Sequence, residues 1–141
     1  MCYMSKILMA VIGNDVHVVA NRIIDHYFSS QGHTVFNLGV ACKPCEVVDG
    51  ILETEPDVLI ISSLNGEALN WTDMLLKKLD NLPVAPFLVL GGNLFPRANH
   101  ENLSVEDKEK VFLDKGFNCV LSHERPLSSL VKSLEPILQV S

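Results

Sequence analysis

The sequence predicts an open α/β sheet of five parallel strands with helices covering both faces. Two observations carry that prediction. Five short apolar runs rich in Val, Ile and Leu recur along the chain, and between them lie segments whose apolar residues fall at helical spacing. Near-continuous apolar runs suit strands buried on both faces, and parallel neighbours need crossovers, which helices supply. With 141 residues and 48% apolar content, the chain has room for one domain, 1–141, built on one core.

Taken in order, the runs are KILMAVIG (6–13), TVFNLGV (34–40), DVLIISSL (57–64), PFLVLGG (86–92) and NCVLSHE (118–124). After the first run, within 18–31, Val19, Ile23, Ile24, Tyr27 and Phe28 form one stripe, with Arg22, Asp25 and Gln31 off it. The next stripe is Val47, Ile51 and Leu52, followed by Trp71, Leu75, Leu76 and Leu79. Val105, Val111 and Phe112 make the fourth, and Leu127, Leu130, Val131 and Leu134 the fifth. The predicted strand order is 2-1-3-4-5, the flavodoxin-like, doubly wound (Rossmann-like) arrangement.

In such sheets ligands lie outside the carboxyl ends of the strands, near the point where the order reverses. The residues to inspect are therefore 13–17, 39–45, 62–66, 91–96 and 122–126. The longest stretch without periodicity, NLFPRANHEN (93–102), leaves the same edge, and loops of that length are often functional.

Charge narrows the partners. A formal charge of -6, a pI of 5.2 and the lack of a clustered Lys/Arg face argue against nucleic acid and anionic membranes. No apolar run reaches the ~20 residues needed to span a bilayer. The opening MCYMSK does not read as a secretion signal, so a cytoplasmic chain is expected. The four cysteines, Cys2, Cys42, Cys45 and Cys119, are expected reduced.

Several residues at the strand ends carry chemistry. His17 can bind a transition metal through one ring nitrogen while Asp15 fixes the other, or Asn14 or Asp15 simply caps a helix starting near Val18. A lone ligand does not hold a bare ion; it can complete the coordination of a metal already in a macrocycle. Ser62 and Ser63 can hydrogen-bond a heterocycle or cap the loop backbone. Gly91 and Gly92 admit a close-lying ligand or serve a turn at positive φ. Cys42 and Cys45 follow a strand and precede a helix, where a thiolate is favoured, yet five β/α alternations do not fit a thioredoxin fold. An all-cysteine zinc site is not supported by the spacing of Cys2 and Cys119. His26, His33, His100 and His123 read as surface or helix histidines, with His123 on the ligand edge.

Together DVHVVA after the first run, SSL after the third and GG after the fourth resemble the Asp-x-His-x-x-Gly, Ser-x-Leu and Gly-Gly signature of cobalamin-binding domains. Those domains take B12 base-off, with histidine on cobalt. The similarity extends to the small cofactor subunits of glutamate (methylaspartate) mutase and covers nearly the whole chain, through VIGNDVHVVANRIIDHYF, FNLGV, ILETEPDVLIISSLNG and LVLGGNL. The resemblance implies His17 as the lower cobalt ligand and Asp15 as its orienter. It further implies a groove between the sheet and the first helix that takes the displaced nucleotide tail. Asn14, Val16, Val18 and Ala20 would flank the ligand, Ser62, Ser63 and Leu64 would line one wall, and Gly91 and Gly92 would leave room. Asn93, Leu94, Phe95, Pro96 and Arg97 would meet the tail, with Arg97 a charge partner for its phosphate.

Two positions depart from the family. Ala20 stands where the signature has glycine, and an added methyl costs ~1–3 kcal/mol where a site does not relax. The Cys42/Cys45 pair sits in a loop that lacks it in relatives. The function implied is that of an adenosylcobalamin carrier for a carbon-skeleton mutase, working with a larger catalytic subunit in a heterotetramer-like assembly; no catalytic residue is assigned to this chain. The alternatives are a corrinoid carrier or B12 sensor, or a flavodoxin-like module with a redox cysteine pair.

Overall fold

The computed structural model describes residues 5–12, 19–63, 68–83, 85–92, 94, 104–122 and 125–138, the side chains of Val19 and Asn70 apart. Strands β1 (Lys6–Val11), β2 (Thr34–Asn37), β3 (Val58–Ser62), β4 (Phe87–Gly92) and β5 (Cys119–Ser122) alternate with helices α1 (Val19–Ser30), α2 (Pro44–Thr54), α3 (Ala68–Leu79), α4 (Val105–Lys115) and α5 (Leu127–Leu134). Every pairing is parallel and the order is β2-β1-β3-β4-β5, as the sequence predicts.

The strands are shorter than the apolar runs. β2 ends at Asn37 because Gly39 (φ 85°) and Ala41 (φ 56°) leave the extended region, turning the chain towards α2. Helix starts follow local chemistry: Pro44 opens α2, where Glu46 Oε1 accepts the Lys43 N–H at 3.2 Å. Ser104 Oγ accepts the Asp107 N–H at 3.1 Å at the start of α4, which ends on Gly116 at φ 126°.

Instead of one core there are two apolar layers, one on each side of the sheet. Leu8, Ala10, Leu59, Ile61, Leu88 and Leu90 pack against Val47 and Ile51 of α2, Trp71, Leu75 and Leu79 of α3 and Phe112 of α4. On the other side Ile7, Met9, Val58, Ile60 and Val89 meet Phe28 of α1 and Leu130 and Leu134 of α5. Three helices therefore cover one face and two the other.

The helical stripes need correction at two places. Leu52 is 56% exposed, because α2 turns Val47, Val48 and Ile51 to the sheet instead. Ile23 is 52% exposed. His33 is not a surface residue: it is buried, its ring centroid 6.1 Å from that of Phe28. The Gly32 turn (φ 93°) reverses the chain after α1, and the His33 N–H bonds the Phe28 carbonyl, so the ring tucks under the helix end. Burial lowers its pKa from the ordinary 6.5, and its Nδ1 has no partner.

Candidate functional site

Parallel register puts distant residues side by side. Ser62 lies opposite Val11 on one side and Gly91 on the other, and Gly91 lies opposite Leu121. Two residues earlier on the same face runs the row Met9, Ile60, Val89 and Cys119. Over these two rows, between α1 and α5, opens a cavity of about 290 Å³ at the carboxyl end of the sheet. Ile60, Ser62, Val89, Gly91, Gly92 and Leu121 form its floor. Ala20, Ile23 and Ile24 form one wall; Ser122, Arg125, Pro126, Leu127 and Leu130 form the other.

The groove exists because its side chains are small where the strands end. Gly92 sits at φ 108°, a conformation that favours glycine, and a Cβ built on Gly91 would touch the Leu121 carbonyl at 3.4 Å. The exposure of Ile23 is now explained: α1 spends that part of its apolar stripe on the groove wall. An apolar trough with Ser62 on its floor suits a flat heterocycle with a polar edge. Ser63 Oγ beside it is buried without a partner, a donor that a ligand or a loop can satisfy.

The α5 side is held from behind. Glu109 of α4, almost fully buried, reaches around edge strand β5 and accepts the Ser122 N–H at 3.0 Å through Oε2. The same carboxylate takes Arg125 in fork geometry, Nε to Oε2 at 3.1 Å and Nη2 to Oε1 at 2.8 Å. Arg125 also approaches Glu106 Oε1 at 3.7 Å. Ser122 at the end of β5 and Arg125 ahead of α5 are thereby both tied to α4.

Of the residues expected at the site, the structure brings together Ala20, Ser62, Gly91 and Gly92. Ser63 borders the strand end with its hydroxyl buried. Leu94 does not face the groove; it joins the apolar layer under α2, α3 and α4. Asn14, Asp15, Val16, His17, Val18, Leu64, Asn93, Phe95, Pro96 and Arg97 lie outside the described residues, as do His100 and His123. Sequence reasoning missed Ile60 and Val89, although period-2 alternation back from Ser62 and Gly91 points to them. It also missed the Glu109–Arg125 pair, for which no local signal exists.

The cysteine pair differs from its expectation. Cys42 is buried, bridged beside Ile12, with Sγ at 3.5 Å from the Gly39 carbonyl and 3.6 Å from that of Leu38. Burial, then the charge of Glu46, pushes its thiol pKa up, opposite to the shift a redox pair needs at a helix start. Cys45 is exposed and both thiols are free. Among the described residues no three His, Cys, Asp or Glu side chains gather as a metal site, and no helix is long and apolar enough to cross a membrane.

Comparison with known proteins agrees with this geometry. Residues 5–111 match the family model described as B12 binding domain. The chain is 31% identical over 135 residues to the glutamate mutase sigma subunit of Clostridium tetani, covering 95% of this chain and 96% of that one. The sigma subunit of Clostridium cochlearium matches at the same identity, length and coverage. A cobalamin-binding protein of Desulfitobacterium hafniense DCB-2 superposes with a TM-score of 0.75 at 20% identity, over 96% of this chain and 60% of that one. At that identity the likeness is one of fold, and this chain spans under two thirds of the larger protein.

Proposed function

The chain belongs to the B12-binding domain family, and on that premise we propose that it is the cobalamin-carrying subunit of a cytoplasmic carbon-skeleton mutase of the glutamate mutase type. In this reading it binds the cofactor base-off, with His17 on cobalt and Asp15 orienting the imidazole. The nucleotide tail occupies the groove between α1 and α5. The single observation that carries the reading is that groove. Register and helix placement bring Ala20, Ser62, Gly91 and Gly92 together at the carboxyl end of the sheet, the place the family signature requires.

Within the groove the chain's own residues bind and shield. Ile60, Val89 and Leu121 exclude water from the tail's ring, and the Ser62 hydroxyl offers it a hydrogen bond. Beyond them, Asn14, Val16 and Val18 flank the cobalt ligand, Leu64, Asn93, Phe95 and Pro96 meet the tail, and Arg97 pairs with its phosphate. Bound adenosylcobalamin supplies cobalt–carbon homolysis, and with it the radical that a skeletal rearrangement needs. A chain whose groove is occupied by cofactor has to borrow the substrate pocket, hence the larger catalytic subunit. Sigma-subunit relatives at 31% identity over nearly full length support that partner over a methyl carrier.

The test is a titration of the purified chain with hydroxocobalamin and adenosylcobalamin, followed by visible and electron paramagnetic spectra. A base-off species with nitrogen from His17 is expected, and His17→Ala abolishes the signature. If the parent shows no such species, or if the variant binds as well, the cobalamin reading fails. Ala20 lies on the groove wall, so Ala20→Gly is expected to bind equally or more tightly. Conversion of glutamate to methylaspartate with a compatible large subunit tests the mutase role.

A further inference from the structure

Helix α1 has two flanks of opposite character. One lines the groove through Ala20, Ile23 and Ile24. The other faces β2 and carries Asn21, Arg22, Asp25, His26 and Ser29 along a polar cleft. On this second flank the amide of Asn37, at the end of β2, joins three elements. Its Nδ2 donates to Asn21 Oδ1 at 2.6 Å and to Asp25 Oδ2 at 2.8 Å, and its Oδ1 accepts the Gly39 N–H at 2.9 Å. Asp25 Oδ1 is itself held, accepting the Ser29 hydroxyl at 2.9 Å.

Among its described side chains, only the part-buried Ile24 gives the start of this helix an apolar anchor. Among its described side chains the buried apolar one, Phe28, lies towards the far end, whereas Ala20, Arg22 and Ile23 are exposed. Asn21 is the described side chain buried in the first turns, at 4% exposure, and it is buried against Asn37. Asn37 itself is exposed, so the cost of breaking the pair falls on Asn21, whose buried amide oxygen is left without its donor away from water.

We propose that Asn37 is a positioning residue for the groove: bridging Asn21 and Asp25 to the Gly39 turn, it sets how closely the first turns of α1 lie on the sheet. It thereby fixes the wall at Ala20 and the point where the segment bearing His17 joins the helix. The consequence for cobalamin rests on the reading of the groove given above; the restraint on α1 does not.

The experiment exchanges donor and acceptor. Asn37→Asp sets two carboxylates together, and adding Asp25→Asn restores a donor facing an acceptor. The Asn21 Nδ2, unpartnered in the parent, becomes a donor to the introduced carboxylate when its amide rotates. Amide hydrogen exchange across 20–24 is measured in the cofactor-free chain, and hydroxocobalamin affinity is measured in parallel. Asn37→Asp is expected to speed exchange there about tenfold and weaken hydroxocobalamin binding about tenfold, and the double variant to return both to within about threefold of the parent. Unchanged exchange in Asn37→Asp, or a loss that the double variant does not restore, overturns the proposal. So does unchanged affinity in Asn37→Asp when the parent binds. A parent that does not bind hydroxocobalamin sinks the cofactor reading, and the exchange measurement still decides the restraint on α1.

Discussion

The two faces of the sheet are built from neighbouring rows of residues, one step apart along the same strands, and they end differently. Ala10, Ile61, Leu90 and Val120 form one row, which packs with Trp71, Leu75 and Phe112 into a closed layer. The next row, Val11, Ser62, Gly91 and Leu121, points to the opposite face, and above it lies the groove. Two features separate them: three helices against two, and branched side chains against a serine and a glycine. The candidate site is thus the place where close packing is relaxed on one face while the other face stays closed.

The strongest way to test that division is to damage the closed face. Phe112 is fully buried, and Phe112→Ala is expected to cost about 3–5 kcal/mol through lost transfer energy and a residual cavity. A lowered urea midpoint at unchanged slope is the measurement. Any fraction still folded at low temperature should bind cobalamin as the parent does, because the row facing the groove is untouched.

Filling the open face should do the reverse. Gly91 has ordinary strand geometry and room for a Cβ, its nearest neighbour being the Leu121 carbonyl at 3.4 Å. Gly91→Val is therefore expected to gain about 0.5–1 kcal/mol of stability by removing a strand glycine, while cobalamin titration shows binding lost to the blocked floor. A variant that is both less stable and still able to bind would break the comparison.

The smallest effect lies at the lower edge of the two-helix face. Burial holds His33 neutral, with a folded pKa below 6.5. The unfolded chain binds the proton more readily, so this contribution is complete above pH 6.5 and is lost as the pH falls from there towards the folded pKa. His33→Gln should flatten the decline of the thermal midpoint over that window, which a melting series across mildly acidic pH would read.

Much of this was legible in the chain. Apolar runs alternating with 3.6-residue stripes announced five strands, five helices and their order, because periodicity is a property of neighbouring residues and survives without any partner. Ser62, Gly91 and Gly92 were recognisable because each lies at a strand end, and Ala20 only through the family signature, where it stands in place of glycine. What escaped were residues whose role depends on who faces them. Ile23 and Leu52 matched the helical stripe yet stayed exposed, one on the groove and one on the outside of α2. Leu94 follows Gly91 and Gly92 closely in sequence but packs on the other face.

Sequence alone therefore determined the alternation of strands and helices, the edge of the sheet where the groove opens and the small residues that open it. Only the tertiary structure decided the walls. Glu109 reaches Ser122 and Arg125 around an edge strand, and Asn37 ties α1 to the turn after β2. Such pairings join residues far apart in the chain, and they exist only once parallel register and crossover have set which side chains meet.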